Sequence, residues 1–153
     1  MKAIPEGYHT LTPNLILEGA AEAIKLYEKA FGAKTLEKMT CPDTGKIMHA
    51  GLQIGSSRLF LSDAGNSPMC EASHSAFYVY TENVDTLFKQ AKQAGFAELD
   101  GVKDMFWGDR VGSLEDKYGN RWTLATHVRD VSKDEMDAAA KEMIKKMKEE
   151  KAA

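Results

Sequence analysis

The sequence has few of the features that mark membrane, secreted or nucleic-acid-binding proteins. Its longest purely aliphatic run is Leu15-Ile16-Leu17, far below the roughly 20 apolar residues of a transmembrane helix. The first residues contain no apolar region of the kind that a signal peptide requires. Lysine and arginine number 20 against 23 aspartates and glutamates, so there is no basic excess to attract nucleic acid or anionic membranes. We therefore expect a cytoplasmic protein that binds neither nucleic acid nor a membrane.

Cysteine is scarce, and the short motifs of several enzyme classes are missing. The two cysteines, Cys41 and Cys70, form no Cys-x-x-Cys pair and are expected to stay reduced. The sequence contains no phosphate-binding Gly-x-x-x-x-Gly-Lys-Ser/Thr, no Gly-x-Gly-x-x-Gly, no Gly-x-Ser-x-Gly and no His-Glu-x-x-His. Each of these motifs supplies a specific nucleotide, nucleophile or zinc chemistry. Because these motifs are missing, the sequence gives no support to those enzyme classes.

What the 153 residues do contain is a strand–helix–strand–strand–strand order that occurs twice. At this length, with 43% hydrophobic residues, one domain with a substantial core is expected. Periodicity predicts the first unit, at about residues 8–64, with a strand at 8–17, a helix at 19–31, and strands at 33–40, 47–54 and 58–63. After a linker at 65–73 the order repeats at about residues 74–128, with a strand at 75–81 and a helix at 84–94. A strand at 96–102 and a closing hairpin follow, so we predict an α+β fold of two tandem βαβββ modules.

A charged helix is predicted at the C-terminal end, over about residues 132–150. Ser132 and Glu135 have the spacing of a capping box. The apolar stripe of this helix consists of Met136, Ala139, Ala140, Met143 and Met147. The stripe fits packing on the helix's own domain or on a partner subunit better than it fits a membrane surface, because acidic residues balance the lysines.

The closing hairpin, Met105 to Leu124, resembles a known family. Its residues read Phe106-Trp107-Gly108-Asp109-Arg110, then Leu114-Glu115-Asp116, and, after a polar turn, Gly119-Asn120-Arg121-Trp122. This pattern is similar to the closing hairpin of the vicinal oxygen chelate superfamily, which includes glyoxalase I, bleomycin-resistance proteins and extradiol dioxygenases, and it most resembles the PhnB-like branch. The resemblance implies two βαβββ modules whose curved sheets form a U-shaped cavity with the helices outside.

Strand alternation then predicts which side chains line the cavity. One face of each strand is apolar and suits a helix, and the residues left on the other face should face the cavity. In the predicted third strand, Met48, Ala50 and Leu52 fall on the helix side, so His49 falls on the cavity side. Together with the motif residues, the predicted ligand-binding residues are Asn14, His49, Phe60, Tyr78, Tyr80, Trp107, Arg110, Arg121 and Thr123.

The hairpin motif itself allows two interpretations. Trp107 can stack on a ligand, and Arg110 can bind an anion through two hydrogen bonds. Alternatively, Asp109 and Arg110 form an ion pair that fixes the loop at the cavity mouth. We favour the structural role for Asp109 and the functional one for Trp107.

The resemblance also implies where a metal would bind. Metal-dependent members of the superfamily carry ligands at positions that match Thr12, Phe60 or Ser62, Ala76 and Thr123. None of these residues is a strong ligand, and a hydroxyl at Thr123 does not replace the family's carboxylate. A two-residue slip of the alignment would bring His74 inward, but one imidazole does not hold a metal. We predict no metal and no cofactor, with a divalent metal on atypical ligands as the alternative.

Two functions remain open. The first is a homodimeric protein that binds a small, anionic or aromatic molecule without the usual metal. The second is a glyoxalase-type lyase or isomerase that uses a metal with atypical ligands or His49 as acid and base. His49 is the tentative catalytic residue, predicted to share one cavity with Arg121. For His9, His74 and His127 we expect capping or surface roles.

Overall fold

The structure is a computed structural model that describes residues 2–66 and 71–152, and Cys70 lies outside these ranges. The first module consists of β1 (Asn14–Leu17), α1 (Ala20–Phe31), β2 (Lys34–Thr40), β3 (Ile47–Ile54) and β4 (Ser57–Asp63). The second consists of β5 (Ala76–Tyr80), α2 (Val84–Ala94), β6 (Ala97–Asp104), β7 (Asp109–Glu115) and β8 (Arg121–His127). The C-terminal helix α3 spans Lys133–Ala152.

Each module forms its own four-stranded sheet with the same topology. The strand orders are β1-β4-β3-β2 and β5-β8-β7-β6. In each sheet the first strand pairs in parallel with the last, and the other neighbours are antiparallel. This confirms the predicted α+β fold of two tandem βαβββ modules with a C-terminal helix.

Alternation along the strands divides each sheet into two faces. In the first sheet the buried residues Leu15, Ala50, Leu52 and Leu61 share the face that packs on α1. In the second sheet the corresponding buried residues include Trp122 and Leu124. We call this side the helix face of a sheet and the opposite side its open face.

The predicted phase of β3 is wrong at one position, Met48. Met39 pairs with His49 and Thr40 pairs with Ile47, so β3 has one extra residue, a β-bulge, at Met48. The bulge leaves Met48 41% exposed and turns Ile47 inward, to 3% exposure. Beyond the bulge the alternation resumes, so the predicted direction of His49 still applies.

The first strand is shorter than predicted, because residues 8–13 do not join the sheet as a strand. The Pro13 carbonyl accepts a hydrogen bond from the Phe60 amide (2.8 Å), and the chain before it lies against the open face of the first sheet. There the Tyr8 ring centroid is 5.4 Å from that of Phe60. An N-terminal segment, residues 3–12, thus covers part of this open face.

The two modules share one hydrophobic core. Tyr27 and Phe31 of α1 reach the second module, where their ring centroids lie 5.2 and 4.6 Å from that of Trp122. The Tyr27 hydroxyl donates a hydrogen bond to Asp116 Oδ2 (2.7 Å) in the buried turn between β7 and β8. Because α1 packs against the helix faces of both sheets, the two open faces point away from this common core.

The C-terminal helix begins as the capping box predicted and projects from the core. The Ser132 hydroxyl accepts a hydrogen bond from the Glu135 amide (3.2 Å), and no residue of α3 is buried. Met143, Ile144 and Met147 are 40–49% exposed. None of the helices in residues 2–66 and 71–152 is long and apolar enough to cross a membrane.

Candidate functional site

Five residues form a connected polar and aromatic group on the open face of the second sheet. We call Tyr78, Tyr80, Trp107, Asp109 and His127 the tyrosine–aspartate cluster. The Asp109 carboxylate is buried, at 3% exposure, and its Oδ2 accepts hydrogen bonds from the hydroxyls of Tyr78 (2.8 Å) and Tyr80 (3.0 Å). Its Oδ1 lies 2.8 Å from His127 Nδ1. The Trp107 indole N–H approaches the Tyr78 hydroxyl oxygen at 3.4 Å.

Backbone pairing explains why these residues meet. Tyr78 and Tyr80 are two residues apart on β5, so both project from one face. The hairpin register places Asp109 opposite His127, and residues directly opposite in a ladder have neighbouring side chains. The cluster is therefore a product of strand alternation and of the hairpin register.

Gly108 shapes the turn before β7 because no other residue fits there. Its φ is +98°, and a Cβ atom at this position would lie 2.1 Å from the Arg129 carbonyl oxygen. The Gly108 carbonyl accepts hydrogen bonds from the amides of Val128 (2.9 Å) and Arg129 (3.1 Å). These contacts hold the turn that carries Trp107 against the chain that follows β8.

The hydrogen bonds of the cluster shift the pKa values of its members in consistent directions. Burial, followed by the bond to Asp109, raises the pKa of Tyr78 to about 12, despite the opposing effect of the Trp107 indole. The bond to Asp109 is the main cause that raises the pKa of Tyr80. Burial alone would raise the pKa of Asp109, but the bonds from His127, Tyr78 and Tyr80 outweigh it and hold this pKa below its usual value. Asp109 is therefore ionised and both phenols are protonated at neutral pH.

His127 connects the cluster to solvent. Its Nε2 lies 2.9 Å from Asp130 Oδ1, and its side chain is 52% exposed. Asp130 first and Asp109 second raise the pKa of His127 above its ordinary value. The imidazole thus lies between one buried and one exposed carboxylate.

Arg110 lies on the helix face, so its predicted place in the cavity is wrong. Its guanidinium donates two hydrogen bonds to Asp85 (both 2.8 Å) and one to Asp104 (3.1 Å). Asp109 and Arg110 are adjacent on a strand and point to opposite faces, so the predicted ion pair between them does not form either. Arg110 instead joins α2 to the edge of the sheet.

Arg121 and Thr123 do lie on the open face of the second sheet. Thr123 is opposite Tyr78 and borders the cluster, whereas Arg121 is further along the strand, opposite Ala76. Arg121 Nε is 3.7 Å from Glu115 Oε2, and the arginine side chain is 69% exposed. The Thr123 hydroxyl is 3.2 Å from the Ser113 hydroxyl. Arg121 borders an open depression of about 410 Å³ together with His74 and Glu115.

His49 lies on the open face of the first sheet, in a cavity of about 580 Å³ that the N-terminal segment covers. Its Nε2 is 3.4 Å from Glu37 Oε1, and its ring centroid is 4.8 Å from that of Phe60. Glu37 reaches across the sheet above Gly51, where a Cβ atom would lie 2.7 Å from Oε1. Asn14 pairs with Phe60 in the sheet and is exposed on the same face.

His49 and Arg121 line different cavities, so the single cavity predicted for them is not found within one chain. His49 faces the N-terminal segment, whereas Arg121 faces the depression beside His74. The physical reason is that each residue faces side chains of its own module, the first for His49 and the second for Arg121. Strand alternation predicts a face and not the direction in which that face points.

The residues at the family's metal positions do not suit a divalent ion. Thr12, Phe60, Ser62, Ala76 and Thr123 offer hydroxyls and apolar groups where imidazoles and carboxylates would be needed. Within residues 2–66 and 71–152, no group of three or more histidines, cysteines, aspartates and glutamates is placed to hold a metal.

Sequence reasoning assigned Asp109 a structural role but missed its bonds to the tyrosines, and it did not place His127 or Glu37 in a site. Asp109 joins the two tyrosines, and His127 and Glu37 contact the predicted residues Asp109 and His49. A signal for Asp109 existed, because two tyrosines on one strand face carry hydroxyls that need an acceptor. The register that brings Asp109 opposite His127 could not be read from the hairpin without its turn geometry.

Known proteins similar to this chain agree with the fold. A sequence model described as Glyoxalase/Bleomycin resistance protein/Dioxygenase superfamily matches residues 9–124. An uncharacterized protein of Mycobacterium bovis is 36% identical over 138 residues, which cover 84% of this chain and 90% of the relative. Among solved structures, TioX from Micromonospora sp. ML1 has a TM-score of 0.67 at 22% identity and covers 79% of this chain and 100% of its own.

A PhnB protein from Bacillus cereus has a TM-score of 0.62 at 23% identity, over 77% of this chain and 99% of its own. The two solved structures share the fold with this chain at an identity too low to carry function. The match of the family's sequence model extends through both modules and includes the residues of the closing hairpin up to Leu124. The chain therefore belongs to the glyoxalase/bleomycin resistance protein/dioxygenase superfamily.

Proposed function

We propose that this protein binds a small molecule on the open faces of its sheets, without the metal typical of the superfamily. The observation that supports this most is the tyrosine pair of the cluster. Tyr78 and Tyr80 are 46% and 64% exposed, yet their hydroxyls are fixed by a buried carboxylate. Aromatic side chains held rigidly in solvent suit ligand contact, because little conformational entropy is lost when a ligand packs on them.

The chemistry of the open faces supports a ligand with an aromatic portion and an anionic group. Tyr78, Tyr80 and Trp107 offer aromatic surface on the second sheet, and Phe60 offers it on the first. Arg121 is the candidate for the anionic group, because Arg110 is already paired with two aspartates on the helix face. The ion pair of Arg121 with Glu115 is long, at 3.7 Å, and a ligand carboxylate or phosphate would compete with it.

We also propose a homodimer. His49 and Arg121 line separate cavities of one chain, and a second copy would bring two open faces together around one ligand. A twofold interface buries the same surface on both copies, and the stripe of α3 offers exposed apolar residues for that purpose.

A second candidate function is acid–base catalysis at His49, as in a glyoxalase-type lyase or isomerase. The specific support is the contact between His49 and Glu37, at 3.4 Å, beside a cavity large enough for a small substrate. A carboxylate next to an imidazole can orient it for proton transfer. Isomerisation of an α-ketoaldehyde hemithioacetal to the α-hydroxy-thioester that is lost in His49→Ala and in Glu37→Gln would favour this candidate.

The binding function is tested by a thermal-shift screen of small aromatic, anionic and zwitterionic compounds. A ligand that binds only the folded state raises the midpoint of unfolding with its occupancy. For an anionic hit, we expect Arg121→Ala to weaken binding by roughly 1.5–3 kcal/mol, and His49→Ala to weaken binding of any ligand held at the first sheet. Both variants should change stability much less, because both side chains are partly exposed.

Three outcomes would contradict this proposal in whole or in part. If no compound in a broad screen shifts the midpoint, the protein is not a small-molecule binder of this kind. If both variants melt much earlier and bind hits unchanged, the two residues are structural. Metal analysis of dialysed protein is the third check, because one equivalent of zinc, nickel or manganese would remove the metal-free part of the proposal.

A further inference from the structure

We propose that the tyrosine–aspartate cluster is a subsite for an alkylammonium group. This inference rests on the proposed binding function. It specifies that the ligand group bound at the cluster on the second sheet is a cation. It assigns a cation to the end of the open face that lies away from Arg121. The reasons are the hydrogen-bond roles of the phenols, the charges around them and the geometry of the rings.

The first reason is that both phenol protons are already used. Tyr78 and Tyr80 each donate to Asp109 Oδ2, and a phenol has one proton to donate. The oxygen of Tyr78 also accepts from the Trp107 indole at 3.4 Å. Within the described part of the chain, the bond to Asp109 is the one hydrogen bond of the Tyr80 hydroxyl. A ligand therefore meets acceptor lone pairs, which bind an N–H donor and repel an anion.

The second reason is the charge of the surroundings. Asp109 is ionised and buried, and Asp130 is fully exposed beside His127. Even with His127 protonated, these three residues carry a net negative charge. Arg110 of the hairpin motif points to the other side of the sheet. Arg58 lines a cavity of about 520 Å³ together with Tyr78 and Tyr80, but its guanidinium donates to the Glu6 carbonyl (2.7 Å) and lies over the Tyr8 ring, in the N-terminal segment.

The third reason is the arrangement of electron-rich rings. The Tyr78 and Tyr80 ring centroids are 5.2 Å apart with planes tilted by 53°, and Trp107 adjoins Tyr78. A cation is attracted to the faces of tyrosine and tryptophan rings within about 6 Å of the centroid. Donation of both phenol protons to a carboxylate makes these rings richer in electrons, which strengthens that attraction.

The two ends of the open face thus differ in the charge that they accept. Ala76 pairs with Arg121 and Tyr80 pairs with Ala125, so the arginine and the distal tyrosine are four residues apart along the strands. At about 3.3 Å per residue, this places them about 13 Å apart. A ligand with an ammonium at one end and an acid at the other would span the face.

The test uses three probes with the same four-carbon skeleton: n-butylammonium, butanol and butyrate. The protein has two tryptophans, so their indole N–H signals in NMR spectra report on two places. Trp107 belongs to the cluster, whereas Trp122 is buried and donates to Asp116 (3.0 Å), which makes it an internal reference. We expect butylammonium to shift the Trp107 signal saturably, and butanol and butyrate to leave it unchanged at the same concentration.

Variants then separate the parts of the subsite. Tyr80→Ala removes a ring and its oxygen, and we expect it to weaken butylammonium binding by about fivefold or more. Tyr80→Phe keeps the ring and should lose less affinity for butylammonium. This variant provides the measurement if the alanine variant does not fold. Tyr118→Phe is the matched control, because its hydroxyl is on the hairpin turn, 3.3 Å from the Gly19 carbonyl oxygen, and should bind as the wild type does.

Two results would overturn the inference. One is a Trp107 signal that butanol or butyrate shifts with the affinity of butylammonium, and the other is a signal that butylammonium does not move. The thermal-shift screen keeps this failure separate from failure of the proposed function. Neutral or anionic hits in that screen would leave the binding function standing while the ammonium subsite is rejected.

Discussion

At the scale of single residues, Asp109 has the most consequences for this open face. It is buried, it holds both tyrosine hydroxyls, and it contacts His127. A buried carboxylate without such donors would carry a large desolvation cost. The same bonds that stabilise its charge fix the direction of the two exposed rings, so the electrostatics and the shape of this surface have one origin.

The stability of the protein should depend on pH through His127. Its pKa in the folded state is raised above the ordinary 6.5, by Asp130 first and then by Asp109. A raised folded pKa contributes stability below the unfolded pKa, and this contribution is lost as the pH rises through the folded value. We expect the unfolding free energies of wild type and His127→Gln to differ most near pH 6 or below, and to converge as the pH rises above about 6.5.

Urea denaturation at several pH values above about 5 measures this difference without protonating the carboxylates. The effect should be small and should fall with added salt, because His127 is half exposed. His9→Gln is the control for the removal of an exposed imidazole as such, since His9 is exposed in the N-terminal segment. A difference between wild type and His127→Gln that does not change with pH would show that the imidazole stabilises the fold in its neutral form.

The contrast between Tyr80 and Arg110 shows what residue-scale prediction can achieve. Tyr80 lies in a strand whose alternation is regular, so its face followed from the sequence. The cavity position of Arg110 was predicted from the family motif and from its charge. The alternation of its strand was not used. Its neighbour Asp109 lies on the open face. Arg110 therefore points to the helix face, where Asp85 and Asp104 bind it.

At the scale of elements, α3 stands apart from the other helices. The apolar stripes of α1 and α2 are buried, whereas α3 has no buried residue. Its first half is acidic and its second half is basic, since Asp134, Glu135 and Asp137 precede Lys145, Lys146 and Lys148. Two copies of such a helix attract each other when they lie antiparallel.

We therefore expect Met143→Glu to weaken self-association. A glutamate in the stripe would bury an unpaired charge in the proposed interface, and this should raise the dimer dissociation constant roughly tenfold or more. Ala138→Glu adds the same charge on the opposite side of the helix, and it should change the constant by no more than about twofold. Sedimentation equilibrium measures both variants against the wild type. A wild-type protein that is strictly monomeric at micromolar concentration would contradict the proposed dimer.

Element boundaries were predictable where local signals were strong. The bounds of α2 follow from Asn83, whose side chain accepts a bond from the Thr86 amide (3.0 Å), and from Gly95 at its end. The start of β1 was not predictable, because residues 8–13 alternate like a strand but do not pair with β4. Tyr8 packs on Phe60 instead. A tertiary contact of this kind cannot be predicted from the alternation of apolar and polar residues.

At the scale of the whole molecule, the shared core makes the two modules depend on each other. Tyr27 of α1 donates to Asp116 in the second module, and Trp122 Nε1 donates to the same carboxylate (3.0 Å). The sequence predicted both modules, but it did not predict that α1 would pack on both helix faces. Packing between modules depends on side-chain contacts at long sequence separation, which periodicity does not encode.

We expect the protein to unfold in one transition. Leu61→Ala removes a fully buried side chain of the first module and should cost about 2–5 kcal/mol. In a Trp107→Phe background, fluorescence comes from Trp122 of β8, whose ring also contacts Tyr27 and Phe31 of α1. Its unfolding midpoint should move with that of the circular dichroism signal, because both report one cooperative unit. A Trp122 midpoint that stays in place would show two independently folding halves.

The N-terminal segment on the first open face has a practical consequence for how this protein is handled. The Glu6 carbonyl accepts a hydrogen bond from Arg58 (2.7 Å), and the Tyr8 hydroxyl donates to Glu37 (3.3 Å), so residues 3–12 wall the cavity beside His49. A purification tag fused before this segment would place its own histidines at the cavity rim, where they could occupy it or bind metal. Affinity measurements and metal analyses are therefore best made on protein that is tagged and immobilised through the far end of α3.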